Sequence, residues 1–223
     1  MTTLRRPLAA LLLAGACAPA LAVEAFTATY QANALGMQGE GRMVLAPQGN
    51  RWQYSLTVKN QAVDLSQQTV FDEHAGQLRP LSSSDNSRFL IKKKAVNTTY
   101  DWGKAQATWS GDVKPDRAGP VPLQKGDMDA LLVNLAIVRD VAAGKPLTYR
   151  MVENGRAKPM TYQVAGREKV TVGGRTHDAT RVQRTDGDRQ TIVWVVNDIP
   201  VPARILQREN GSDAIDLKLT GWH

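Results

Sequence analysis

Along most of the chain, apolar side chains recur at every second residue. The clearest run sets Trp52, Tyr54, Leu56 and Val58 against Arg51, Gln53, Ser55, Thr57 and Lys59, the pattern of a strand with one buried face. Phe26, Ala28, Tyr30 and Ala32 form a similar stripe, Gly36 and Gly39 mark a turn, and Met43 and Leu45 continue as a second strand. The pattern returns in Phe89-Leu90-Ile91, in Val96, Thr98, Tyr100 and Trp102, and after Gly103-Lys104 in Gln106 to Trp109. Between Gly111 and Gly126 the periodicity stops at Pro115, Pro120 and Pro122, and this stretch reads as a loop. From Leu147 onward, Asn154-Gly155, Gly173-Gly174, Asp186-Gly187 and Asn210-Gly211 separate alternating stretches and supply the positive φ of two-residue hairpin turns. Met160, Tyr162 and Val164 share a face there, as do Ile192, Trp194 and Val196, and Ile215, Leu217 and Leu219.

One segment has helical spacing instead. Met128, Leu131, Leu132, Leu135, Val138 and Val141 follow Asp127, which the pattern makes the N-cap, and Gly144 and Pro146 end the run. Ile137 and Ala142 broaden the apolar stripe, so the helix is expected on or inside the sheet. About ten strands in hairpin succession with one apolar helix predict a mainly β fold, an antiparallel meander sheet curled into an open half-barrel around one main α-helix.

The first residues stand outside this pattern. Arg5-Arg6, the apolar stretch Leu8 to Ala16 and the triplet Ala20-Leu21-Ala22 have the order of a secretory signal peptide. The expected organisation is a cleaved leader, residues 1–22, and a single β-rich half-barrel domain, residues 23–223, soluble in the periplasm. Cys17 offers a rival reading as the lipid-bearing residue of a lipoprotein. Ala14 stands where such signals carry Leu, Val or Ile, and Ala20-Leu21-Ala22 is the better match. Cleavage after Ala22 removes the only cysteine, and with it disulfides, thiolate metal sites and a cysteine nucleophile. The formal net charge of +7 includes Arg5 and Arg6 of that leader. The remaining basic bias is ordinary solubilising charge that also suits peripheral contact with an anionic membrane surface. Nucleic acid is not an expected partner outside the cytoplasm.

Candidate chemistry is sparse. His74, His177 and His223 are the only histidines, and none pairs with another at the spacing of a zinc site. Asp72-Glu73-His74 is the densest acid and imidazole cluster, and with Gly76 beside it reads as a solvated hairpin end. Hydrolase elbows, HExxH pairs, phosphate loops and dinucleotide fingerprints are all missing from the sequence. Asp127 and Asp129 could serve acid and base chemistry, but each has a structural use at the start of the helix. Lys92-Lys93-Lys94 protects a strand edge, and the same pattern can meet anionic headgroups.

The expected site is therefore apolar. Trp52, Tyr54 and Leu56 of the early strand, Leu131 and Leu135 of the helix and Trp194 of a late strand would face one another across a concavity that one helix need not fill. They predict a non-enzymatic periplasmic binding protein for a lipid, acyl chain or other amphiphile, with no cofactor, metal or catalytic residue. Two alternatives stay open: an envelope protein with a filled core that docks on a protein partner through a sheet edge or the 111–126 loop, and a cell-envelope hydrolase using His74 or His177 with an Asp.

Taken in order, the leader, the early Trp-bearing meander, Gly126-Asp127-Met128-Asp129-Ala130-Leu131 and the stretch from Ile192 through Trp194, Asn197-Asp198, Pro200 and Pro202 to Ile205 resemble a family of proteobacterial exported proteins known only as a domain of unknown function. That family is similar in turn to the lipoprotein-localisation carriers, whose open half-barrel with a helical lid takes up acyl chains. The resemblance covers most of the chain and implies a half-barrel that holds a hydrophobic ligand. It carries over no catalytic residue. Arg204 is its family-typical position, and reads from the sequence as a charge beside an edge strand opened by Pro202.

Overall fold

The computed structural model describes residues 23–223, so the expected leader and Cys17 lie outside the described residues. Eight strands follow one another as an antiparallel meander: β1 (Phe26–Ala34), β2 (Met37–Gln48), β3 (Arg51–Lys59), β4 (Val63–His74), β5 (Gln77–Phe89), β6 (Lys92–Asp101), β7 (Gln106–Gly111) and β8 (Val121–Pro122). Next come β9 (Asp127–Met128), the helix α1 (Ala130–Ala142), β10 (Thr148–Glu153) and β11 (Arg156–Thr161). A second meander closes the chain: β12 (Gln163–Val172), β13 (Arg175–Asp186), β14 (Arg189–Val195), β15 (Arg204–Glu209) and β16 (Ser212–Trp222). The two meanders meet where β16 pairs with β1, giving a 13-stranded sheet that runs from β12 to β16 and on from β1 to β8. It is an open, curled half-barrel wrapped around α1, as the sequence predicts. Strands β9, β10 and β11 form a small second sheet inside the curl, with β9 parallel to β10.

Register explains why the curl has an apolar inside. Tyr54 lies opposite Leu45 on one side and Thr69 on the other, Leu56 opposite Met43 and Gln67, and Val58 opposite Gly41 and Leu65. The same stripe crosses the junction of the meanders in Ala32, Leu217, Ile205 and Val193. Against it α1 packs on β3, β4, β5 and β10 and buries Leu131, Leu132, Val133, Ala136, Ile137 and Val138. Tyr54 is fully buried, its hydroxyl donating to Met43 Sδ at 3.2 Å and its ring meeting Phe26 edge-on at 5.9 Å. Among the described residues no helix is long and apolar enough to cross a membrane.

Three sequence expectations are corrected. The N-cap is Asp129 and not Asp127: Asp129 takes an extended backbone and its Oδ1 accepts from Leu132 N–H at 2.8 Å, while Asp127 is held in β9 opposite Arg150. Gly39 is not in a turn but inside β2, where a Cβ would stand 2.1 Å from the Lys59 carbonyl oxygen. Finally, the described residues form more strands than the ten or so expected: β4 and β5 carry polar residues on both faces and show little alternation, and β8 and β9 are only two residues long, too short to show a period.

Trp194, although buried, sits on the opposite face of β14 from Val193 and Val195, in register between Arg181 and Arg204. The Arg204 guanidinium lies 4.6 Å from the ring centroid and donates both Nε and Nη2 to Asp216, at 2.8 and 2.9 Å. Trp194 Nε1 in turn donates to Glu168 Oε2 at 2.8 Å. Arg204 thus clips β14, β15 and β16 together, and β15 is an interior strand and not an edge. Arg204→Lys loses the two-pronged geometry and the ring stacking, and is expected to cost about 1–2 kcal/mol in chemical denaturation.

Candidate functional site

Beside the packed half of the curl lies an open half, a cleft of about 670 Å³. Its walls come from both meanders: Leu56, Val58 and Leu65 of β3 and β4 on one side, and Ile205, Ile215 and Leu217 of β15 and β16 on the other. The helix adds Ala130, Val133 and Asn134, one face at i, i+3, i+4 spacing, and the β10–β11 hairpin adds Met151 and Met160. Gly155 in that hairpin's turn has φ +67, and a Cβ there would stand 2.4 Å from the Arg117 carbonyl oxygen, so glycine lets the hairpin close against the 115–117 turn.

The cleft's border is charged. Arg117, Arg156, Lys158, Arg184, Arg189 and Arg208 face it, together with Glu153, Asp186 and Glu209. Arg184, Arg189 and Arg208 are matched to Asp186, Glu209 and Asp213 at 2.6, 2.8 and 2.8 Å. Among the described residues Arg156 and Lys158 form no close ion pair, although the charge of Lys158 reaches Asp186, so basic side chains outnumber acidic ones along the border.

At the base of the cleft, a recess of only about 20 Å³ opens between α1, β4, β5, β6 and β10. Asp85, Asp129 and Glu153 line it with Thr69, Ser83, Thr98 and Tyr100. Burial pushes the Asp129 carboxyl up to about 6, against the opposing hydrogen bonds from Thr69 Oγ1 and Leu132 N–H. Burial, and then the charges of Asp85 and Asp129, push Glu153 up to about 7. Asp85 is raised too, chiefly by burial, although Gln67 and Lys94 oppose the shift. No group of three or more His, Cys, Asp or Glu among the described residues is arranged to hold a metal ion.

Of the six residues expected to form the site, Leu56 lines the cleft and Leu131 lines the recess. The other four do not touch the cleft's wall: Tyr54 is packed in the core, Trp52 and Leu135 pack partly buried against it, and Trp194 lies on the far face of its strand. The helix presents a different face from the expected one, because it is apolar nearly all round and its stripe does not indicate which side meets open space. Leu65 and Met151 are cleft residues that no motif marks, and Ile205 lines the cleft at the end of the stretch that carries the family resemblance. His74 and His177 are on β4 and β13, and neither lines the cleft or the recess.

No curated protein matches the chain in sequence. Matched solved structures include the MucA/MucB complex of Pseudomonas aeruginosa, at 14% identity over 89% of this chain and 51% of that one, with a TM-score of 0.40. MucB in complex with MucA(peri) matches at 14% identity over 89% and 49% with a TM-score of 0.37, and MucB alone at 9% over 89% and 52% with a TM-score of 0.36. The chain spans about half the length of these structures. Over residues 25–219 it matches the protein family of unknown function DUF3108, and it belongs to that family.

Proposed function

We propose that this protein is a non-enzymatic binding module of the bacterial periplasm that holds an amphiphile with an anionic head in the cleft. The observation that carries the reading is the pairing of aliphatic walls with a border on which basic side chains outnumber acidic ones, in a space of about 670 Å³. That volume is within the range of ligand sites, and its apolar wall is built mainly from Leu, Val, Ile and Met, while its charged side chains lie with the border and the recess. An acyl chain would lie along Leu56, Val58, Leu65, Ile205 and Leu217, and its head would reach Arg156 and Lys158.

Saturable binding of cis-parinaric acid, a fluorescent fatty acid, tests this. The parent should bind the probe at one site per chain. Leu65→Glu places a charge on a half-buried wall position and should weaken binding more than about tenfold with little change in melting temperature. Absence of saturable binding by the parent, or an unchanged Leu65→Glu, would overturn the proposal. A second reading, docking of a protein partner by strand addition, is favoured by the free edge at β12, a ten-residue strand exposed along nearly all its length. It becomes the better one if the probe does not bind.

A further inference from the structure

Three hairpin turns stand side by side at the mouth of the cleft. Asn60, in the β3–β4 turn, donates through Nδ2 to the carbonyls of Ala34 and Met37 at 3.0 and 3.1 Å, and the carbonyl of Ala62 accepts from Leu90 N–H at 2.6 Å. The middle turn therefore ties the β1–β2 tip on one side to the β5–β6 tip on the other. Those outer tips carry Leu35, Met37, Phe89, Leu90 and Ile91, with exposures of 49, 41, 38, 62 and 92%. Among the described residues, the remaining exposed large apolar side chains are Val164 and Trp222. Apolar exposure is concentrated on this crest, and Leu35 and Phe89 also line the cleft.

Two further features mark the crest. Leu35 and Leu90 have φ of 55° and 56°, a conformation that the chain elsewhere fills with Gly, Asn or Ala. A bulky side chain there works against the turn, and at Leu90 it is not repaid by burial. Arg88 and Lys92-Lys93-Lys94 flank the β5–β6 tip, and Lys59 stands at the end of β3 beside it. Strand β7 pairs with β6 only from Val96 onward, so the three exposed lysines project beyond their neighbour. Lys94 faces the recess acids Asp85 and Glu153, and Lys59 has Asp64 at 3.9 Å, which leaves Arg88, Lys92 and Lys93 as the cations of the tip with no acidic partner among the described residues.

We propose that this crest docks the protein on an anionic lipid bilayer. Leu90 and Ile91 enter the boundary between headgroups and acyl chains, and the lysines meet headgroup phosphates with their stems lying along the apolar surface. Protein-binding surfaces are depleted in lysine at their centre, whereas an apolar tip with a lysine collar matches the layered chemistry of a bilayer interface. Docking would press the cleft's mouth against the membrane, so an amphiphile could pass between the two without crossing water. That last consequence rests on the function proposed above, and the docking itself does not.

The test is flotation of the purified protein with vesicles of phosphatidylethanolamine and phosphatidylglycerol in equal parts, and with vesicles of phosphatidylcholine alone. The parent should float with the first at low salt and not with the second. Leu90→Gly with Ile91→Asn should weaken flotation at least about tenfold. Because Gly-Asn suits this turn, the double variant should melt no lower than the parent, which separates lost docking from lost folding. Changing Lys92 and Lys93 to Gln should weaken it by about fivefold per lysine. Leu65→Glu, which addresses the cleft, should float like the parent. Flotation unaffected by the tip substitutions, indifferent to lipid charge, absent from the parent, or lost in Leu65→Glu would overturn the assignment.

Discussion

Arg150→Met is expected to remove about 3–5 kcal/mol of folding stability, a large part of what a domain of this size has to lose. The Asp127 side chain is completely shielded from solvent in β9, and its Oδ2 accepts from the Arg150 guanidinium and from Gln124 N–H, the latter at 2.8 Å. Oδ1 has no partner. Taking away the guanidinium leaves a buried carboxylate supported by a single backbone N–H, the costly half of a broken ion pair. The same arginine also reaches the Pro122 carbonyl at 3.4 Å, so it fastens the end of the 111–126 segment to the inner sheet. Urea denaturation of Arg150→Met, Asp127→Asn and the double variant distinguishes the sources: the double variant should recover most of the loss. A single-variant shift below about 1 kcal/mol would mean that the pair does not hold β9 to β10.

The second large effect concerns pH. Asp129 and Glu153 are raised to about 6 and about 7 in the folded protein, above the ordinary carboxylate values they regain on unfolding. Each favours the folded state while protonated, so its contribution is fully present near pH 4 and is lost as pH rises through 6 and 7. The groups that face Glu153 are Asp85, Asp129, Lys94 and Arg189. Asp72 behaves oppositely: the hydrogen bonds from Arg79 hold it below the usual range, so its contribution disappears only in stronger acid. Thermal unfolding should therefore be most resistant between pH 4 and pH 5 and weaken up to about pH 7, by on the order of 2 kcal/mol for each raised acid. Glu153→Gln should flatten the upper part of that slope. A melting temperature that rises between pH 5 and pH 8 would refute the assignment.

How legible these features were in the sequence depended on the company each residue kept. Strands such as β1 and β3, which alternate cleanly, and turns such as Asn154-Gly155 and Asn210-Gly211, with both residues at positive φ, follow from period and turn chemistry alone. β4 and β5 do not, because their inward positions include Thr69, Ser83 and Asp85, which serve the acid recess and erase the alternation. The recess was thus hidden for the same reason that its strands were. Trp194 shows the other limit: Ile192 through Val195 are all buried, and when both faces of a strand are covered, parity no longer tells which one looks inward. The exposed crest is hidden in the sequence because Phe89-Leu90-Ile91 reads like the core of a strand until its neighbours show that it is a tip.

The pairing of β1 with β16 brings together segments separated by nearly all of the described chain. While the polypeptide is being made, β1 has β2 on one side and nothing on the other, so the edge that will become the middle of the finished sheet stays unpaired until the final strand arrives. Folding of this protein is accordingly governed by its slowest contact and not by its many local hairpins. A chain cut short before β16 would present that bare edge permanently, and its expected fate is association with other copies and not a smaller working domain.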